Sequence, residues 1–328
     1  QEGAARAALG RRPGRGEARL NLRRWPVAVA LLVLTAACTD ERGGLTDDGV
    51  ATTVVLTTLP PEPLPLPVPD TGPVETVPAG YALPPTGQMF DYQLGGDYPP
   101  ATQIDIVTRD WFAGTPEPGL YNICYVNAFQ TQPPDDADRP DEREGWPAAV
   151  VLPNEDPAWE GEYVIDLSTP EHRSAAAAHV ETMIDTCVEK GFDAVEFDNL
   201  DTYSRFDDLP FGLAETLEYA AVLTAYAHEH GLAVGQKNTV ELTREQALEQ
   251  VGFDFAVAEE CSEFDECFAY KELYGPMVLY IEYSHDGMIE ACSQAFGPNP
   301  VVYRDLGLTT PDDPDYAFET FCGGGAYG

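Results

Sequence analysis

Basic residues are scarce in this chain. Its 328 residues include 18 Lys plus Arg against 56 Asp plus Glu, and seven of the basic ones (Arg6, Arg11, Arg12, Arg15, Arg19, Arg23 and Arg24) precede Cys38. From Cys38 onward 11 basic residues face 54 acidic ones. A chain this acidic repels phosphate backbones and anionic lipid, so nucleic acid is not expected as a partner and a cationic partner is favoured. A solvated acidic surface suited to salty surroundings, or to solubility after export, explains the same excess without any ligand.

Familiar cofactor and metal patterns are missing too. There is no CxxC pair and no cluster among the five His, so a zinc site is not expected. "DNLDTYSRFDDL" has Tyr203 where a calcium loop of EF-hand type needs glycine, and metal is discounted there as well. "QLGGDYP" is a poor version of the glycine-rich phosphate loop that opens a dinucleotide-binding sheet. No cofactor is expected.

Long apolar runs are also absent. The best, Trp25 to Leu34, is too short to remain as a spanning helix, which needs about 20 residues. It follows Arg23 and Arg24 and precedes Ala36, Ala37 and Cys38, which is the form of an export signal. The small residues before Cys38 resemble a lipobox, although Thr35 stands where Leu is usual, so residues 1–38 are read as a signal segment with Cys38 as the lipidation site. Membrane attachment is expected through that lipid alone, on the extracellular face, with simple secretion as the alternative. Residues 39–85, rich in Pro, Thr and Gly without helical or alternating period, read as a disordered tether.

What is present begins at residue 86. Short apolar runs alternate with longer amphipathic ones, the pattern of a parallel sheet wrapped by helices. The candidate strands span 88–94, 103–107, 119–127, 193–198, 232–238, 254–259, 277–283 and 300–305. Helical patterns run over 171–191 and 212–231, each closing on Gly, with shorter ones at 243–252 and 286–297. Eight such strands predict an α/β (β/α)8 TIM barrel over residues 86–328, rather than a doubly wound open sheet. Six Cys remain in this part, suited to an oxidising compartment. Many pairings are possible; the local pairs Cys261–Cys267 and Cys292–Cys322 are preferred, which leaves Cys124 with Cys187.

In such a barrel the reacting groups sit at the C-terminal ends of the strands. Asp198 and Asn199 close the fourth strand, Lys237 and Asn238 the fifth, Glu259 the sixth, Glu282 and Tyr283 the seventh, and Asp305 the eighth. Carboxylates converging on one mouth suit glycosidic chemistry, in which one ionised carboxylate attacks and one protonated carboxyl donates, about 5–5.5 Å apart in a retaining enzyme. Burial and neighbouring charge hold such a pair in opposite protonation states.

"GFDAVEFDNLDTY", "GLAVGQKN" and "DFAVAEECSEFDEC", in that order, with "FDYQLGG" and "ICYVNAF" before them, resemble glycoside hydrolase family 114, the endo-α-1,4-polygalactosaminidases, over about residues 86–308. The resemblance implies Asp198 as nucleophile and Glu259 as acid/base in a retaining, endo-acting hydrolase of α-1,4-linked galactosamine exopolysaccharide. Phe197, Ala258 and Glu260 depart from the residues usual there, and Glu260 leaves open which adjacent glutamate faces inward; period-2 alternation admits one of them, and Glu259 is preferred. A cationic amino-sugar polymer fits an acidic mouth. Asp91, Tyr92, Asn127, Asn199, Asp201, Tyr203, Lys237, Asn238, Glu282, Tyr283 and Asp305 are the expected substrate-binding set, and a monomer is expected. Hydrolysis of another α-linked glycan, or noncatalytic polysaccharide binding at a cell surface, are the alternatives.

Overall fold

The computed structural model describes residues 80–133, 145–295 and 299–320. The export segment, Cys38, the tether up to residue 79 and Cys322 lie outside the described residues. Eight parallel strands form the frame, each where the sequence places one: β1 (Met89–Gln93), β2 (Ile104–Asp110), β3 (Tyr121–Asn127), β6 (Ala194–Asp198), β7 (Ala233–Lys237), β8 (Phe255–Glu259), β9 (Val278–Glu282) and β10 (Val301–Arg304). They pair in that order in a nearly closed TIM-barrel sheet, and β11 (Phe318–Thr320) adds antiparallel to β10. A separate antiparallel pair, β4 (Val151–Glu155) with β5 (Tyr163–Ile165), lies between β3 and the first long helix.

That helix, α1 (Pro170–Lys190), starts and stops by local chemistry. Thr169 caps it by accepting from the His172 N–H at 3.1 Å, Pro170 brings a φ already suited to the first turn, and Gly191 ends it at φ 89°. The short α2 (Thr202–Arg205), then α3 (Leu213–Glu229), α4 (Cys267–Tyr274) and α5 (His285–Ala295), follow the later strands, with a π-helical turn at Glu245–Val251 before β8. The first two connections carry no helix. Residues 94–103 contain Pro99 and Pro100, and residues 111–120 contain Pro116, Pro118 and Gly119, which deny a helix the N–H groups and backbone order it needs.

Period-2 alternation divides the core into two layers. Phe90, Ile106, Ile123, Phe255, Val257 and Ile281 fill the barrel interior. Val126, Val195, Phe197 and Val234 face outward and meet Val180 and Ile184 of α1 and Leu223 of α3. Each such buried side chain contributes about 1.5–3 kcal/mol. Gly235 is required on the inner face, since a Cβ there would lie 2.6 Å from the Phe255 ring. Disulfides Cys124–Cys187 and Cys261–Cys267 form as the sequence suggests. Cys292 is disulfide-bonded as well.

The bottom of the barrel reaches back into the expected tether. Tyr81 donates to Asp254 Oδ1 at 3.1 Å and stacks on His228, while Tyr121 donates to the Ala82 carbonyl at 2.7 Å.

The seam between β10 and β1 has no strand pairing among the described residues. Fully buried Arg304 closes it instead: its guanidinium donates to the Tyr92 carbonyl and to Asp91 Oδ1 at 3.1 Å on β1, and to the Ala317 and Thr309 carbonyls at 3.0 and 2.9 Å. Asp91 also accepts from the Tyr92 N–H, the Gln93 amide and the Tyr98 hydroxyl. Removing one partner of a buried pair strands the other charge. Arg304→Met is therefore expected to lose about 3–5 kcal/mol of stability by urea unfolding; a loss under about 1 kcal/mol would show that the seam does not depend on this side chain.

Candidate active site

Alternation along β6 turns Glu196 and Asp198 to the inside and Val195 and Phe197 to the outside. The β3–β6 register places Tyr125 beside Glu196 and Asn127 beside Asp198. On β7 the inward partner of Gly235 is Lys237, and on β8 the last inward residue is Glu259. All meet at the C-terminal mouth.

Lys237 is the hub. Its Nζ, within a side chain 1% exposed, lies 3.6 Å from Glu196 Oε1, 3.7 Å from Asp198 Oδ1 and 3.7 Å from Glu259 Oε2, and donates to the Tyr92 hydroxyl at 2.6 Å. An ammonium that close to both carboxylates limits the gap between those two oxygens to at most twice 3.7 Å.

Each carboxylate has its own donors. Asp198 accepts from the Tyr125 hydroxyl at 2.7 Å and from the Asn199 N–H at 2.8 Å. Glu259 accepts from the Asn238 amide at 3.0 Å and from the Tyr283 hydroxyl. Glu196 accepts from the Tyr92 hydroxyl, while its Oε2 has no partner. The adjacent Glu260 has φ 52° and its N–H is bonded to the Ile281 carbonyl at 2.8 Å.

Three strand ends share one backbone feature. Asn199, Asn238 and Glu260, which directly follow Asp198, Lys237 and Glu259, have φ 65°, 48° and 52°. Asn tolerates this left-handed region and Glu pays about 1–2 kcal/mol for it. Such departures persist only where surrounding contacts over-determine them, which is characteristic of reaction sites.

The electrostatics follow from burial and the shared ammonium. Burial alone would raise the Asp198 pKa; Lys237, the Tyr125 hydroxyl and the Asn199 N–H outweigh it and hold the carboxyl below the usual range. Burial alone would lower the Lys237 pKa, and Asp198, Glu196 and Glu259 reverse that, so the amine stays charged. Glu196 is pushed up to about 7, chiefly by burial and against the pull of Lys237. Burial and the neighbouring carboxylates raise Tyr92, Tyr125 and Tyr283 well above their ordinary value, so these hydroxyls remain donors.

A second ring surrounds this cluster. Arg205 of α2 holds Asp201 at 2.9 Å, Asp156 at 3.0 Å and the Asn199 carbonyl oxygen of its side chain at 2.6 Å. Asn199 donates to Asn127 Oδ1 at 3.0 Å, and Asn127 donates to Glu162 Oε2 at 3.2 Å. Glu162 is pushed up to about 8, first by burial and then by Asp198 and Asp156. Burial raises Asp201 as well, against the pull of Arg205.

The structure thus brings together Asp198, Glu259, Lys237, Asn238, Tyr283 and Tyr92, with Asn127, Asn199 and Asp201 adjoining. Others in the expected set bond elsewhere. Asp91 belongs to the Arg304 seam. Glu282 accepts from the Ser262 N–H at 3.0 Å, Asp305 from the Thr309 and Ala317 N–H groups, and Tyr203 donates to Glu241. Glu196, Tyr125, Glu162 and Arg205 were not in the expected set. Glu196 had a signal, since it lies two residues before Asp198 on one strand face; the others become neighbours only through register and loop packing. Among the described residues one group is compact enough for a metal ion, Cys261, Cys267 and Glu282, and its two sulfurs are joined as a disulfide and so are not thiolate ligands.

Lys237→Met leaves three carboxylates without their countercharge. It is expected to raise the Asp198 pKa, read by carboxyl carbon NMR, and to cost about 3–5 kcal/mol of stability at neutral pH. A depressed carboxyl stabilises the fold above its unfolded pKa and loses that effect as pH falls through its folded pKa, so the cost should shrink below about pH 4. An unchanged Asp198 titration would contradict the shared ammonium.

Comparison with known proteins places the chain in a family and a fold. The family model described as glycoside-hydrolase family GH114 matches residues 72–323. Aspergillus fumigatus Ega3, solved in complex with galactosamine, superposes with TM-score 0.59 at 21% identity, covering 70% of this chain and 97% of that one. The glycoside hydrolase domain of PelA from Pseudomonas aeruginosa gives TM-score 0.52 at 16% identity, covering 68% and 96%. An uncharacterized protein of Deinococcus radiodurans is 27% identical over 132 residues, a match spanning 39% of each chain. With the family model covering most of the chain and two solved barrels sharing its architecture, this protein belongs to glycoside hydrolase family GH114 and is a glycoside hydrolase.

Proposed function

We propose that this hydrolase cleaves α-1,4-linked galactosamine polymer within the chain and with retention of configuration, Asp198 acting as nucleophile and Glu259 as acid/base. The observation that carries the reading is Lys237, whose ammonium sits 3.7 Å from a carboxylate on each of two non-adjacent strands. The resulting limit on their separation lets the two flank one glycosidic bond, taking in the about 5–5.5 Å of a retaining pair and the shortest inverting separations, near 6.5 Å; retention is proposed from the family resemblance.

In the first half-reaction Asp198, kept ionised by Lys237 and its hydrogen bonds, attacks the anomeric carbon as Glu259 delivers a proton to the departing glycosidic oxygen. The Asp198–sugar ester is then hydrolysed by water that Glu259 deprotonates, which restores both groups. The carboxylates of Asp201 and Asp156 beside the cluster suit the ammonium groups of a deacetylated polymer, and Ega3, which shares the fold, was solved with galactosamine. Asn127, Asn199, Asn238, Tyr92 and Tyr283 are the polar and aromatic contacts proposed for the sugar; Asp91, Tyr203, Glu282 and Asp305 would act at most through the loops they hold. The barrel would work outside the cell, tethered by lipidated Cys38 or released, as a monomer.

Reducing-end release from a panel of acetylated and deacetylated galactosamine and glucosamine polymers tests the substrate. Activity confined to α-1,4-galactosamine polymer is expected; preference for another α-linked glycan overturns the specificity, and no activity on any polymer favours a binding protein. Asp198→Asn and Glu259→Gln are each expected to lower kcat by about 10²–10⁴-fold, and retention of near-normal kcat in either removes that residue from its role.

A further inference from the structure

Beneath the reacting pair lies a third carboxyl that the double displacement does not use. Glu196 is fully buried on β6, two residues before Asp198 and on the same inward face. One oxygen accepts from the Tyr92 hydroxyl, which itself accepts from Lys237 at 2.6 Å; the other oxygen has no partner. A buried carboxylate oxygen left bare is costly, whereas a carboxylic acid in the same place loses much less. Nothing about packing demands an acid here: a glutamine or a leucine would fill such a position in a barrel core.

We propose that Glu196 is a positioning residue of the hydrolytic site, whose charge state decides how much of the Lys237 ammonium is left for Asp198 and Glu259. The inference rests on the reading of those two residues as the reacting pair. Among the described residues the titratable groups acting on Glu196 belong to the same cluster: Tyr92 from β1, Tyr125 from β3, Asp198 from β6, Lys237 from β7 and Glu259 from β8. Lys237 is the cation that the three carboxylates share, and its distances to them, 3.6, 3.7 and 3.7 Å, are nearly equal. With Glu196 neutral, the ammonium is left to Asp198, the carboxylate that must stay ionised, while Glu259 keeps the proton it delivers. Once Glu196 ionises, a second anion competes for it from below, and the Tyr92 hydroxyl carries the same competition through its two hydrogen bonds. Burial raises the ionisation of Glu196 to about 7, within the working range of an extracellular enzyme. The acid form is thus the productive one, and the rate falls as pH rises.

The test compares kcat on saturating galactosamine polymer from about pH 5.5 to about pH 8.5 in wild type and Glu196→Gln. The polymer's amines titrate identically against both proteins, so any difference between the profiles belongs to residue 196. Each profile is read as the ratio of its own kcat at high and low pH, independent of absolute rate. Wild type is expected to fall to about a tenth of its low-pH kcat one unit above the ionisation, and the variant, which has no proton to lose at that position, by a clearly smaller ratio. Superimposable profiles overturn the proposal.

A second measurement needs no activity. A carboxyl with a raised folded pKa stabilises the fold below its unfolded pKa and loses that effect as pH rises through its folded pKa. The melting temperature of wild type should therefore fall relative to Glu196→Gln between about pH 5 and about pH 8, and a constant difference counts against the proposal. Should the glutamine variant not fold, Tyr92→Phe removes the hydroxyl whose donation favours ionised Glu196, and the alkaline limb is expected to move to higher pH; an unmoved limb overturns the idea. Asp198→Asn and Glu259→Gln separate the two levels. If both abolish turnover while the Glu196→Gln profile matches wild type, this inference alone fails; if they leave turnover intact, the reading of the site fails first.

Discussion

One buried ammonium organises the mouth of this barrel. Lys237 ends β7 with almost no solvent exposure, and an unpaired lysine in such a place would give up its proton. Three carboxylates prevent that, and in return the lysine lets three acids occupy a space where their mutual repulsion would otherwise neutralise them. The consequence is an Asp198 carboxyl held below the usual range, two residues from a Glu196 carboxyl that burial pushes up to about 7.

The fold supplies this arrangement through register. β6, β7 and β8 are neighbours, so inward residues at their ends converge without any loop having to reach, and the left-handed Asn199, Asn238 and Glu260 break the strand conformation just past the reacting residues. Asn238 does double duty, donating its amide to Glu259 Oε2 and accepting from the Glu259 N–H at 2.8 Å, which ties the end of β7 to the end of β8. The Cys261–Cys267 disulfide and the Glu282–Ser262 contact then fix the loop that leaves β8. Opposite, the missing ladder between β10 and β1 is replaced by Arg304, whose grip on Asp91 and the Tyr92 carbonyl also fixes the backbone of the tyrosine that bridges Lys237 and Glu196.

Much of this was legible in the residues alone because strands announce themselves by length and alternation. All eight barrel strands, four helical segments and the Asp198–Lys237–Glu259 grouping follow from patterns within a few residues of one another. What was not legible depends on distance along the chain. Asp91 lies in the middle of β1, and its carboxylate is spent on Arg304, 213 positions away. Glu162 and Arg205 enter through loops whose packing no local period describes. β4 contains Pro153 and a shifted register, so it lacks the alternation that marks a strand. Glu196 was visible as an acid in an apolar run, and its partners on β1 and β7 were not.

The central claim is that Asp198 and Glu259 act on one sugar linkage under the control of Lys237. Its most direct test is to incubate Glu259→Gln with an aryl α-glycoside of a galactosamine oligosaccharide, quench in acid, and map the labelled peptide by mass spectrometry; the good leaving group needs no acid, and the slowed hydrolysis lets the ester accumulate. The account predicts one sugar adduct, carried by Asp198. An adduct on Glu196, Glu162 or any other residue, or aryl release with the protein unlabelled throughout, would contradict it.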